Sequence, residues 1–250
     1  MNRLGLTIAL TCAALFGLLL GLYPALDLKI AGLFYASEAA RFPATNAGWT
    51  PLVRHGAMAA IWALAIAAAL ALILKLLRPN RRMLMPARAA VLVLATVIVV
   101  PGVLSNLVFK NHWGRPRPTD VVEFHGELPF VAWWDRRGAC PENCSFFSGE
   151  ASAAFSTYAL AALTPPPWRP AAYAAASLFG FGIGLLRMAF GGHFLSDVIA
   201  AGVVAFVVVW LAHGLIYRWP RTRLTDAGVE AALERLARRL SRRPPGGAAS

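Results

Sequence analysis

The sequence predicts an all-α polytopic membrane bundle. Three observations carry that expectation: a shortage of charge, apolar blocks of membrane-crossing length, and a one-sided distribution of basic residues. Of 250 residues, 58% are hydrophobic and 14% charged, and the mean hydropathy is +0.58. A soluble domain carries about 25% charged residues. The apolar residues gather in blocks at 4–23, 57–77, 89–109 and 198–217, each near the roughly 20 residues a helix needs to cross a bilayer. Shorter blocks at 151–163 and 171–186 complete six expected transmembrane helices.

The first block has only Arg3 ahead of a long apolar run, and no small-residue cleavage site follows it. That fits a retained helix better than a cleaved signal peptide. Orientation follows from charge. With the N-terminus inside, the inner segments hold 15 of the 24 basic residues and three of the 12 acidic ones, leaving nine of each outside. The whole net charge of +12 then lies on one side, as the positive-inside rule requires of an N-in/C-in chain. Such a charge could suggest nucleic acid, but its placement is topogenic and meets anionic lipid, so no nucleic-acid partner is expected.

Residues 1–217 thus read as one six-span membrane domain with outer loops at 24–54 and 110–148. Residues 218–250 form a basic cytoplasmic tail. From Thr225 onward Val229, Leu233, Leu236 and Leu240 share one helical face with arginines around it, as in an amphipathic helix lying on the inner leaflet; a frayed soluble tail is the alternative. The closing PPGGAAS is expected to be disordered.

This topology brings four helix ends together on the outer face, with Lys110, Arg117, Ser148, Glu150, Arg187, His193 and Asp197. Ionisable groups at membrane helix ends are costly unless they pair or line a wet site, and seven from separate segments look like a site. Lys110, Arg115, Arg117 and Arg187 form a cationic cluster suited to phosphate oxygens. Ser148 and Gly149 at a helix start offer a hydroxyl and free N–H groups to an anion. His193 and Asp197, four apart, share a helical face, so the carboxylate can fix the imidazole tautomer and leave the other ring nitrogen free to attack. A structural His–Asp hydrogen bond and snorkelling arginines are the plainer alternatives for each group taken singly.

Three stretches together resemble a family. KNHWGRPRP (110–118) fits K-x6-R-P, FSGE (147–150) is similar to P-S-G-H, and RMAFGGHFLSD (187–197) fits R-x5-H-x3-D. These resemble the type 2 phosphatidic acid phosphatase (PAP2) superfamily of membrane lipid phosphatases, over roughly residues 24–217. The resemblance implies His193 as the nucleophile of a phosphohistidine intermediate, oriented by Asp197. Lys110, Arg117, Arg187, Ser148 and Gly149 would then bind phosphate, with Arg115 a possible auxiliary. It implies no cofactor, and no metal is expected, because the cations already supply the electrostatics and no carboxylate cluster with Mg²⁺-like spacing lies near them.

The second motif departs from the family, whose histidine there acts as general acid. Glu150 stands in its place and Phe147 replaces the proline. Glu150 could be the acid if burial raises its pKa; His112 or His125 could serve instead, or Glu150 could cap the helix and order the arginines. Cys140 and Cys144 in the outer loop could form a disulfide in an oxidising periplasm, free thiols being the alternative and a metal site a poor fit for two ligands. Trp133 and Trp134 fit the lipid headgroup level.

The expected substrate is a phosphorylated lipid entering sideways at a periplasmic site on a bacterial inner membrane, with membrane lipids as the other partners and no obligate protein partner. The SGE variant and the cysteine-bearing stretch most resemble bacterial lipid A phosphatases, which leaves the 1 or 4′ position open. Phosphatidylglycerophosphate and undecaprenyl pyrophosphate are the alternative substrates, and a non-catalytic lipid-binding or transport protein is the alternative of another class. Pro101 is the clear candidate for a transporter-like helix break.

Overall fold

A computed structural model describes residues 3–241 and is all-helical, with no strand among the described residues. The expected disorder of PPGGAAS, and Arg242 and Arg243, lie outside the described residues. In chain order the helices are α1 (Arg3–Leu22), α2 (Ala25–Gly32), α3 (Trp49–Leu77) and α4 (Ala87–His112). Then follow α5 (Gly149–Phe155), α6 (Tyr158–Leu163), α7 (Arg169–Ala189), α8 (Leu195–Arg218) and α9 (Asp226–Ser241). Five of them, α1, α3, α4, α7 and α8, are long and apolar enough to cross a membrane.

The expected fourth span, 151–163, is two short helices broken at Ser156 and Thr157. Hydroxyls explain the break. Ser152, Ser156 and Thr157 donate to the carbonyls of Gly149, Ser152 and Ala154 at 2.8, 2.9 and 2.6 Å, and such back-bonding competes with the helix ladder and bends it. Pro101 does not break α4. The helix continues through it as wider π turns over Ile98–Phe109, which accommodate the donor that proline lacks. Helix α3 begins eight residues before the apolar block at 57, so its first turns carry Arg54.

Helix α8 packs against α1, α4, α5 and α7. Close approach rests on glycines that receive large side chains. A Cβ on Gly180 of α7 would lie 2.1 Å from the Phe155 ring, and one on Gly184 would lie 2.2 Å from Val198. Small residues let helices in lipid gain dispersion contact, which replaces the hydrophobic drive they lack there. At one end of the bundle α9 docks on α3 and α4. Lys75 pairs with Glu230 at 2.9 Å and Glu234 at 2.8 Å, and Arg88 pairs with Asp226 at 3.0 Å. The predicted amphipathic helix is thus held by ion pairs to the bundle, with Leu236 and Leu240 exposed.

At the opposite end, residues 110–148 fold back on the helices. Cys144 N–H donates to the Lys110 carbonyl at 3.0 Å and Ser145 N–H to that of Arg115 at 2.8 Å, fixing the returning strand beside the end of α4. The tryptophan pair divides. Trp133 packs partly buried against the core, while Trp134 stays half exposed and donates to the Gly21 carbonyl at 3.3 Å. Both rings lie against α1 at Gly17 and Gly21, so they clasp the first helix.

Gly180→Val should cost about 1–3 kcal/mol by overpacking, read as a lower unfolding temperature in detergent. With Phe155→Ala already present the same change should cost less; equal costs in both backgrounds would contradict the fit described.

Candidate active site

Between α7 and α8 the chain turns within five residues. Gly191 has φ +65, where a side chain is strained, and a Cβ there would strike the Phe42 ring at 2.5 Å. The turn delivers His193 to the start of α8, where it is buried. Its Nδ1 lies 2.7 Å from the Ser145 carbonyl. A carbonyl only accepts, so Nδ1 carries the proton and Nε2 keeps its lone pair. Asp197 was the expected orienting group, but its Oδ2 is 3.8 Å from Nδ1. It therefore acts on His193 by charge, while a backbone carbonyl fixes the tautomer.

The Asp197 carboxylate is gripped from the other side. Arg115 Nη1 donates to it at 2.6 Å, Ser145 Oγ at 2.5 Å and Phe194 N–H at 2.8 Å. Arg115 corrects the expected cationic cluster: it is fully buried and reaches behind the histidine. Its Nη2 binds Asp27 of α2 at 2.8 Å, and its Nη1 also donates to Ser196 Oγ at 2.7 Å. Asp27 in turn accepts from the Ser196 N–H at 3.0 Å and its hydroxyl at 2.5 Å. A buried charge is tolerated when paired and fully hydrogen-bonded, and here two carboxylates share one guanidinium.

The other predicted cations gather near His193 and one another. Lys110 lies in the last turn of α4, and its Nζ would lie 3.1 Å from a Cβ on Gly149, a tight contact from which the ammonium would have to shift by a few tenths of an ångström. Arg187 ends α7 and packs so close to Gly192 that a Cβ there would come within 2.6 Å of Nη2. Arg117 donates to the Asn143 carbonyl at 2.7 Å and its side-chain oxygen at 2.8 Å. Asn143 lies inside the small loop that the structure closes with a Cys140–Cys144 disulfide. Arg117 and Arg187 lie near enough for their charges to act on Lys110 and His193. Ser148 is buried and caps α5, accepting from Ala151 N–H at 3.4 Å.

Glu150 does not stand alone, as an acid would. Arg54 of α3 grips it with Nε at 2.8 Å and Nη2 at 2.5 Å, and Arg187 Nε lies 3.7 Å away. The paired Arg54 hydrogen bonds, with the Arg187 charge nearby, favour the ionised carboxylate of Glu150. A carboxylate in that state accepts and does not donate. Of the two sequence-based readings of Glu150, acid or helix cap that orders the arginines, this geometry matches the ordering of arginines. The alternative acids turn elsewhere: His112 Nδ1 donates to the Val108 carbonyl at 2.9 Å, and His125 stacks on Tyr35 and shares a 2.6 Å hydrogen bond with its hydroxyl.

Sequence reasoning missed Arg54, Asp27, Ser145 and Ser196. Asp27, set among Leu26, Leu28 and Ile30, was the one with a visible signal, an acid in an apolar run. Among the described residues no three His, Cys, Asp or Glu side chains converge as a metal site would need.

Burial holds the His193 imidazole down to about 4, with the Arg187 and Arg117 charges adding to the effect and Asp197 opposing it. The neutral, nucleophilic form therefore persists as pH falls, and is lost only near that value. If His193 takes up phosphate as the sequence resemblance implies, that transfer, corrected for the substrate phosphate's own ionisation near 6, should stay flat from about pH 7 to about pH 5. A several-fold fall between about pH 6.5 and about pH 5.5, tracking an ordinary imidazole, would contradict this.

Residues 87–223 match the family described as the PAP2 superfamily. A protein named Lipid A 4′-phosphatase from Francisella tularensis subsp. novicida (strain U112) is 34% identical over 199 residues, spanning 79% of this chain and 89% of that protein. Two more of that name are similar over 115 residues: one from Rhizobium leguminosarum (38% identical; 46% of this chain, 49% of that one) and one from Rhizobium etli (36%; 46% and 45%). No solved structure matches the chain significantly. A family match over more than half of the sequence, with motif residues that converge around one buried histidine, places this chain in the PAP2 superfamily.

Proposed function

We propose that this chain is a metal-independent lipid phosphatase that removes the 4′-phosphate monoester of lipid A through a phosphohistidine on His193. The observation that carries the proposal is the His193 Nδ1–H bond to the Ser145 carbonyl, which leaves Nε2 unprotonated on a ring within reach of the Arg117 and Arg187 charges, with Lys110 near both arginines. Nε2 attacks phosphorus, the P–O bond to the sugar breaks with its electron pair on oxygen, and the histidine becomes cationic. Asp197, 3.8 Å from Nδ1, stabilises that charge. The three cations and the Gly149 N–H meet the equatorial phosphoryl oxygens, whose charge grows in the transition state, while the Ser148 N–H is spent on the Asp197 carbonyl at 3.4 Å. Water then attacks the phosphorus, the N–P bond breaks, and Nε2 regains its lone pair. The choice of lipid A and of the 4′ position rests on the names of the three relatives.

The membrane arrangement follows the charges. The basic tail end, where α9 meets Lys75 and Arg88, is assigned to the cytoplasm, with the termini inside and the site end facing the periplasm from the inner membrane. Helices α5 and α6 together make the short fourth of six crossings, and residues 1–217 form the phosphatase domain. In that oxidising compartment the Cys140–Cys144 disulfide persists and holds Asn143 against Arg117.

Purified protein in detergent with EDTA should release phosphate from bis-phosphorylated lipid A, with mass spectrometry placing the loss at 4′, and His193→Ala should reduce release to background. No release from folded protein, or release unchanged in the variant, would refute the proposal.

A further inference from the structure

The phosphatase proposed above leaves one chemical demand unmet. The expelled oxygen leaves with a negative charge, and Glu150, where the motif would place an acid, is held as a carboxylate. We propose that Arg54 receives the leaving oxygen, as an electrostatic catalyst, and that Glu150 is its positioning residue. Arg54 lies outside the family's matched residues 87–223 and on a helix, α3, that carries none of the three motifs.

Location supports this first. Side-chain exposure rises from 2% at His193 to 12% at Arg187, 22% at Glu150 and 34% at Arg54. Of these four groups the nucleophile is the most enclosed and Arg54 the most open to solvent, with Glu150 next. In-line transfer puts the leaving oxygen opposite the attacking nitrogen, on the side away from the enclosed imidazole.

The hydrogen-bond inventory supports it second. A guanidinium has five N–H groups. The Arg54 contacts among the described residues all run from Nε and Nη2 to Glu150, so both hydrogens of Nη1 stay available to a ligand. The bidentate grip also fixes the plane of the fork, and orientation is what an exposed arginine otherwise lacks.

Charge supports it third. A bare Glu150 carboxylate would repel an incoming phosphate; Arg54 cancels that repulsion and leaves Arg187 as surplus positive charge. The step balances without a protein acid. His193 Nε2 forms the N–P bond, and the P–O bond breaks with its pair on the leaving oxygen. Arg54 N–H groups stabilise that oxyanion without giving up a proton, and solvent water supplies the proton that makes the hydroxyl.

A leaving-oxygen role differs from a structural or phosphate-binding one in its dependence on the leaving group. Two substrates with the same alkyl tail serve: an alkyl phosphate, which expels a strongly basic alkoxide, and a tailed nitrophenyl phosphate, which expels a weakly basic phenolate. Arg54→Ala should lower single-turnover phosphoenzyme formation on the order of 10²-fold with the alkyl phosphate, the scale of one lost oxyanion donor, and only a few-fold with the nitrophenyl phosphate. Glu150→Gln should show the same selectivity at smaller size. Equal loss on both substrates, including complete loss from misfolding, or loss on neither, would overturn the assignment. Wild-type protein that turns over neither substrate would instead overturn the phosphatase reading itself.

Discussion

Arg115 is the group on which the rest of the site depends. Its guanidinium is shut away from solvent between Asp27 and Asp197, at 2.8 and 2.6 Å. These carboxylates come from α2 and α8, and the arginine from the loop after α4, so one cation ties three distant segments together. Removing one member of such a buried set leaves uncompensated charge and costs about 3–5 kcal/mol. The serines complete it: Ser145 donates to Asp197 and Ser196 to Asp27. Two carboxylates against one guanidinium leave the cluster with an excess negative charge behind His193, where phosphorylation would create a positive one.

The catalytic geometry grows out of that anchor. Ser145 serves twice, its hydroxyl on Asp197 and its carbonyl on His193 Nδ1, so the residue that helps fix the buried charge also fixes the tautomer of His193. The strand bearing Ser145 is bonded to Lys110 and Arg115, and the same loop presents Asn143 to Arg117. The cations and their buried support therefore share one scaffold, in which Lys110 packs close to Gly149 and Arg187 close to Gly192.

Much of this was legible in the sequence. Apolar blocks located the five long helices, and Lys110, Arg187, His193 and Asp197 come to one end of the bundle because each lies at or beside a helix terminus, with Arg117 in the loop that follows α4. Residue type could not reveal the partners across the chain. Arg115 and Arg117 look alike in R-P-R, yet one turns inward because Asp27, 88 residues away, waits for it. Arg54 read as the end of the outer loop 24–54, since the first turns of α3 are too polar to register as part of an apolar block. Glu150 was recognisable as a substitution, but its state depends on Arg54. The break between α5 and α6 had a visible cause in Ser152, Ser156 and Thr157, although hydropathy averages over hydroxyls and hides it.

The most direct test of this account asks where the phosphoryl group goes. Rapid quenching of the enzyme with radiolabelled bis-phosphorylated lipid A, followed by peptide mapping, should find label on His193 in the acid-labile, alkali-stable linkage of a phosphoramidate. Label on another side chain, or turnover with no phosphoenzyme on a timescale shorter than the catalytic cycle, would contradict a mechanism built on the free Nε2 of His193.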